Sequence, residues 1–193
     1  MASKITTILD ENFISSDAGN GWAACYRISN GKVRQHGIPH ARVRVTGTKL
    51  NTDLGSQNIA EYADFMGQRY GYGDGIWNLT DMPIDMHQNT SRRYGGNMHI
   101  FLMLVNLACM NVKSGSELTL IVPAPPGMFN EVAPQLKKTL LAGEEGEGIW
   151  HIQLRTDKKP REYKVVRVIT VPEGSGAISA FRFNLNGEIV PLN

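Results

Sequence analysis

The sequence predicts an α/β lobe, a mixed β-sheet with flanking helices and a small inserted β-rich subdomain. Three observations carry that reading. The N-terminal third alternates and reverses like a meander. An all-round apolar stretch of helix length, "GNMHIFLMLVNLACMN" (96–111), lies near the middle. An apolar strand, "SELTLIVPAP" (116–125), follows it directly and ends in prolines.

The elements can be justified in chain order. "FISSD" (13–17) reads as a strand, and "WAACYRI" (22–28) as a second after a Gly19-Asn20-Gly21 turn. "SNGK" (29–32) centres Asn30-Gly31 between two β-compatible runs, the strongest short hairpin signal, so "VRQHGIP" (33–39) is the third strand. Residues of about 40–95 look like a subdomain inserted on a loop. Within them "YADFM" turns at Gly67-Gln68 into "RYGYG", while "NLTDMPIDMHQNTSRRYGG" (78–96) is polar and shows no period. The stretch 96–110 carries apolar residues all round, as a buried helix does. A helix between "FISSD" and "SELTLIVPAP" is a crossover, which predicts that the two strands run parallel. "MFNEVAPQLKKTLLAG" (128–143) is an amphipathic helix with a stop at Gly143 and a potential kink at Pro134. "GIWHIQLRTDKKPREYKVVRVITVPEG" (148–174) is a second hairpin turning at "DKKP". "SGAISAFRFNLNGEIVPLN" (175–193) begins as a helix and ends in a turn and a strand start.

Composition narrows the class. The chain has 193 residues, 41% apolar and 20% charged, enough to bury a core. A net charge of +2 is too small to argue for nucleic acid by bulk electrostatics. The two cysteines, Cys25 and Cys109, lie far apart in apolar stretches, which speaks against a disulfide framework and for a reducing, cytoplasmic compartment. The N-terminus lacks the apolar core of a signal peptide, and 98–110 is too short to span a bilayer. His36, His40, His87, His99 and His151 show no metal-ligand spacing. "YGYGDG" (70–75) lacks the strand before and helix after that a glycine-rich nucleotide loop needs, so it reads as a hairpin arm. "DKKPREYK" (157–164) reads as a solvated hairpin tip, and Met98, Met103 and Met110 as core.

"SSDAGNGWAAC" (15–25) is the most chemical stretch. It sets Asp17 at a strand end beside glycines that leave backbone N–H groups uncovered. Taken alone, it is an ordinary hairpin turn with an Asx-type hydrogen bond, or a turn whose amides approach a phosphate. The order of elements around it favours the second. D-x-G-N-G at 17–21, "GQRYGYGDG" (67–75), "RRYGGNMHIFLMLVNL" (92–107), "LIVPAPPGMFNEVAPQLKKTL" (120–140) and "VITVPEGSGAISAF" (168–181) succeed one another. This set resembles the N-terminal lobe of the actin-like ATPases, in particular the ParM-type plasmid-segregation actins, over nearly the whole chain. The fold implied is an actin/ribonuclease-H-like lobe.

The resemblance implies site roles. Asp17 would hold magnesium through water, and the amides of Gly19, Asn20 and Gly21 would face phosphate oxygens. Glu173, in "VPEGSG", would orient the water that attacks the γ-phosphate; without the resemblance it is a solvated turn acid. The cofactors implied are ATP (or GTP) and Mg. Two departures stand out. Where the family carries a lysine seven residues after the aspartate, this chain has Ala24, and that puts fast hydrolysis in doubt. The second phosphate loop and adenosine site belong to a C-terminal lobe, and the chain stops at Asn193 before either. The expectation is therefore a single lobe over 1–193, with the C-terminal lobe absent. It would be the N-terminal nucleotide-binding lobe of a filament-forming ATPase in plasmid or DNA segregation, active only when completed by a second lobe. The partners implied are copies of itself and a DNA-bound adaptor protein, with neither a direct nucleic-acid site nor a membrane. The alternative is a catalytically inactive lobe serving as an assembly or adaptor module.

Overall fold

The structure, a computed structural model, describes residues 12–19, 21–29, 32–45, 61–78, 84–86 and 93–175. Its strands are β1 (Phe13–Ala18), β2 (Trp22–Ser29), β3 (Lys32–Pro39), β4 (Ala41–Arg44), β5 (Glu61–Phe65), β6 (Gln68–Tyr72) and β7 (Ile84–Met86). Helix α1 (Asn97–Cys109), β8 (Ser116–Ala124), α2 (Phe129–Ala142), β9 (Ile149–Leu154) and β10 (Arg161–Pro172) follow. The described strands form one mixed sheet in the order β3-β2-β1-β8-β10-β9-β5-β6-β4-β7. The N-terminal meander is there: β1 pairs antiparallel with β2, and β2 with β3. Asn30 and Gly31 lie outside the described residues, but the pairing of Ser29 with Lys32 leaves the two-residue loop that Asn-Gly favours. β8 runs parallel to β1, and β10 parallel to β8, as a helical crossover requires.

Helix α1 is apolar all round because it is covered all round. Every residue from His99 to Ala108 is buried. The inward residues of β8, Leu118, Leu120, Val122 and Ala124, alternate with partly exposed ones. Most of them join α1 and the inner side of α2 (Leu136, Leu140) in a single core. Phe101 of α1 meets Phe65, Tyr70 and Tyr72 of the β5–β6 hairpin with ring centroids 5.2–6.2 Å apart. Asn106 is the polar lock in this apolar helix. Its Nδ2 donates to the Ala23 and Leu102 carbonyls, and its Oδ1 accepts from His36 Nδ1 at 2.6 Å, tying α1 to β2 and β3.

The structure redraws several boundaries. The β5–β6 reversal uses Met66 and Gly67, not Gly67 and Gln68, and Gln68 pairs with Phe65. A two-residue hairpin turn wants φ > 0 at both central positions, and these two have φ of 48° and 70°. β4–β7 continue the sheet through pairing of β5 with β9. The "DKKP" tip is more than a solvated turn, because Asp157 takes a two-pronged ion pair from Arg161, which also donates to the Ala108 carbonyl. The helix expected after Ser175 falls outside the described residues.

Candidate functional site

Because β1, β8 and β10 are parallel, their C-terminal ends share one edge of the sheet. In open α/β sheets that edge is where ligands bind. Asp17 lies one residue from the end of β1, and Glu173 directly follows β10. The Glu173 N–H donates to the Ala124 carbonyl at 2.8 Å, fastening the turn to the end of β8. A register shift between Val165 and Arg167 adds one residue to β10. It leaves Tyr163, Val165 and Val168 all buried. It also puts Ile169 and Val171 on the face that carries Ser15 and Asp17, so Glu173 leaves the strand on the side of Asp17.

The edge therefore gathers two acids that the sequence keeps far apart. Asp17 is exposed. Partial desolvation, and then the Glu173 carboxylate, raise its pKa above the ordinary value, while Arg93 and His40 oppose the rise. Glu173 is itself engaged. Arg93 Nη2 donates to its Oε1 at 2.9 Å, and the Tyr94 hydroxyl donates to the same oxygen. Arg93 also donates to the Tyr94 oxygen at 2.7 Å and lies over the Tyr94 ring, 4.6 Å from its centroid. Burial, and then the bond to Glu173, push the Tyr94 phenol up to about 12. The Arg93 side chain is 5% exposed and that of Glu173 34%, so the cation is the inner partner.

The glycine turn is held from behind by His40. The His40 N–H donates to the Gly21 carbonyl at 3.0 Å, and its Nδ1 lies 2.7 Å from the Gly19 carbonyl oxygen. A carbonyl only accepts, so Nδ1 carries the proton. Burial, more than the nearby Arg93 charge, lowers the His40 pKa, and the ring is neutral at pH 7. Gly19 is required for space, since a Cβ there would stand 2.9 Å from the Trp22 carbonyl oxygen, whereas Gly21 faces open space. Asn20 lies outside the described residues. Ala24 is the ladder partner of Asp17, and its methyl abuts Gly37. Position 24 thus lies beside Asp17 and brings no charge to it.

This arrangement suits a hydrated divalent cation and a phosphate. Asp17 offers a hard, solvent-facing carboxylate. Among the described residues no group of three His, Cys, Asp or Glu side chains could hold a metal ion directly. Sequence reasoning picked out Asp17, the glycine turn and Glu173, but missed Arg93, Tyr94 and His40. The available signal was "SRRYGG", a double arginine and an aromatic abutting an apolar helix. His40 carries no signal in the sequence beyond being a residue type that can ligate a metal. "YGYGDG" is the end of β6 running into a 3-10 turn at Asp74–Asn78, a hairpin arm as expected.

No protein-family model matches the chain, and no curated protein matches it in sequence. Solved structures do share its fold. Bacillus thuringiensis ParM in apo form superposes with a TM-score of 0.63 at 14% identity, covering 94% of this chain and 51% of that one. The AlfA filament bound to AMPPNP gives 0.64 at 16% identity, covering 94% and 67%. An archaeal actin homolog gives 0.61 at 17% identity, covering 86% and 46%. At such identities the likeness is one of fold: this is an actin-like, ParM-type α/β fold. The chain spans roughly half to two thirds of the length of these neighbours. No described helix is long and apolar enough to cross a membrane.

Proposed function

From this actin-like fold we propose that the chain is the N-terminal nucleotide-binding lobe of a filament-forming ATPase that segregates plasmid or other DNA in the cytoplasm. The whole of 1–193 is one lobe, with residues of about 40–95 as its inserted subdomain. The observation that carries the proposal is the meeting of Asp17, the Gly19–Gly21 turn and Glu173 at one edge of three parallel strands. In this reading Asp17 holds magnesium through water, the amides of Gly19, Asn20 and Gly21 receive phosphate oxygens, and Glu173 orients the attacking water. ATP or GTP with magnesium is shared with a second lobe. The AMPPNP-bound AlfA filament, and a ParM hybrid solved with ADP, support nucleotide binding and self-association. A DNA-bound adaptor is the further partner.

A second reading, an inactive lobe used for assembly or as an adaptor, draws on Ala24 and on the engagement of Glu173 by Arg93 and Tyr94. Phosphate release separates the two. Catalysis of phosphoryl transfer needs charge and positioning on several sides of the γ-phosphate, and this edge supplies one side. The chain alone should bind Mg-ATP weakly and release no phosphate, and the chain joined to a second lobe should turn over. Robust turnover by the chain alone would overturn the shared cleft, and an inert joined protein would favour the assembly module.

A further inference from the structure

We propose that Arg93 is the phosphate-binding cation of this edge, and that Glu173 occupies it until a phosphate takes its place. The inference rests on reading the edge as a phosphate site and adds the residue that position 24 does not supply.

An arginine stays charged in any protein environment, so a guanidinium this deeply buried needs acceptors facing it, and an anion answers it best. Among the described residues, Glu173 is an anion in direct contact with Arg93. The two partners are unequally held. Arg93 precedes α1, and its guanidinium is oriented by the Tyr94 hydroxyl and ring. Glu173 is one-third exposed and belongs to a turn. Gly174, the next residue, has φ of +83° and open space where a Cβ would be. An incoming anion can therefore displace the carboxylate while the guanidinium stays in position. A guanidinium fork matches phosphate oxygens as well as it matches a carboxylate. Arg93 is also within electrostatic reach of both Asp17 and His40, which brackets it beside the glycine turn.

Exchange of partners has a measurable signature. While Glu173 holds Arg93, the competent fraction is small and apparent phosphate affinity falls by that fraction. The exchange also frees the Glu173 carboxylate only when phosphate has arrived, so that an acid meant to orient water is released by the substrate itself.

The test is a nuclear magnetic resonance titration of the 193-residue chain with inorganic tripolyphosphate and magnesium, following the Gly19 and Gly21 amides and the Arg93 Nε–H. Glu173→Gln should shift the midpoint to about tenfold lower tripolyphosphate. Arg93→Gln should raise it about tenfold, with Arg93→Lys between the two. In the Arg93→Gln background, adding Glu173→Gln should give no gain. A gain that persists there would reduce Glu173 to a general repulsive charge and overturn the exchange, though the phosphate edge would stand. If Arg93→Gln does not fold, Glu173→Gln alone decides, and an unchanged midpoint rejects the proposal. Silence of Gly19 and Gly21 in every folded variant would instead reject the phosphate edge itself, and this inference with it.

Discussion

Burial shifts the pKa values of Asp17 and His40 in opposite directions, and each leaves a trace in pH dependence. The Asp17 pKa is raised above 3.8, so the folded state holds its proton more tightly than the unfolded state. Stability contributed by the protonated form is lost as pH rises from 3.8 through the raised value. Asp17→Asn removes that loss. Thermal melts at pH 7 should place the variant about 1–2 °C above wild type, with the gap closing below the window. The same variant should weaken Mg-nucleotide binding, the usual exchange of stability for function at a site. His40 has the opposite sign. Its folded pKa lies below 6.5, so stability is lost as pH falls below 6.5. His40→Ala leaves the Gly19 carbonyl without its imidazole donor and should cost about 1–2 kcal/mol in urea unfolding at pH 7. The difference from wild type should shrink as pH drops below 6.5, because only the wild type then loses stability. A constant difference would mean that His40 is not held neutral.

At the scale of elements, α1 is held against the meander by one amide as well as by apolar packing. Asn106 is fully buried and joins three elements. Asn106→Leu keeps the volume but strands the His36 Nδ1 and the Ala23 carbonyl. We expect a loss of about 2–3 kcal/mol by chemical denaturation. The neighbouring Leu104→Ala should cost about 2–5 kcal/mol through a cavity alone. The two variants should differ in kind: Asn106→Leu should also speed amide exchange in β3, since His36 is its only side-chain tie to α1 among the bonds described. The β10 bulge is the other decisive element. Its extra residue, Val166, is 46% exposed and exists to change which side of the strand leads to Glu173.

For the whole molecule, the sheet is covered unevenly. Both described helices pack on one face, and on the other Trp22, Tyr26 and Val33 of β2 and β3 remain exposed. The edge at Asp17 and Glu173 adjoins that second face. In a protein joined to a second lobe, Glu173→Gln should abolish phosphate release while nucleotide binding is not weakened. In the proposed reading Glu173 acts on the water and competes for Arg93; losing the first role leaves ground-state affinity unchanged, and losing the second raises it. Turnover assays with parallel nucleotide titrations check this split. A variant that releases phosphate at the wild-type rate would remove Glu173 from the chemistry.

The amino-acid sequence by itself determined the pieces. A short apolar run ended by prolines marked β8, all-round apolarity marked α1, Asn30-Gly31 announced the β2–β3 hairpin, and Gly143 ended α2. It also placed Asp17 at a strand end and Glu173 after another. These signals are local, carried by neighbours two to four residues apart. What brought Asp17 and Glu173 together was not local. It needed β8 to bind β1 and β10 in parallel, and a one-residue bulge to choose the face. A bulge breaks the alternation from which a strand is read, so "YKVVRVITV" could not disclose which of its residues point inward. Arg93 and His40 stayed hidden for a related reason. Each lies in a stretch without periodicity, and its role is set by a partner some 80 or 20 residues away that only the folded sheet supplies.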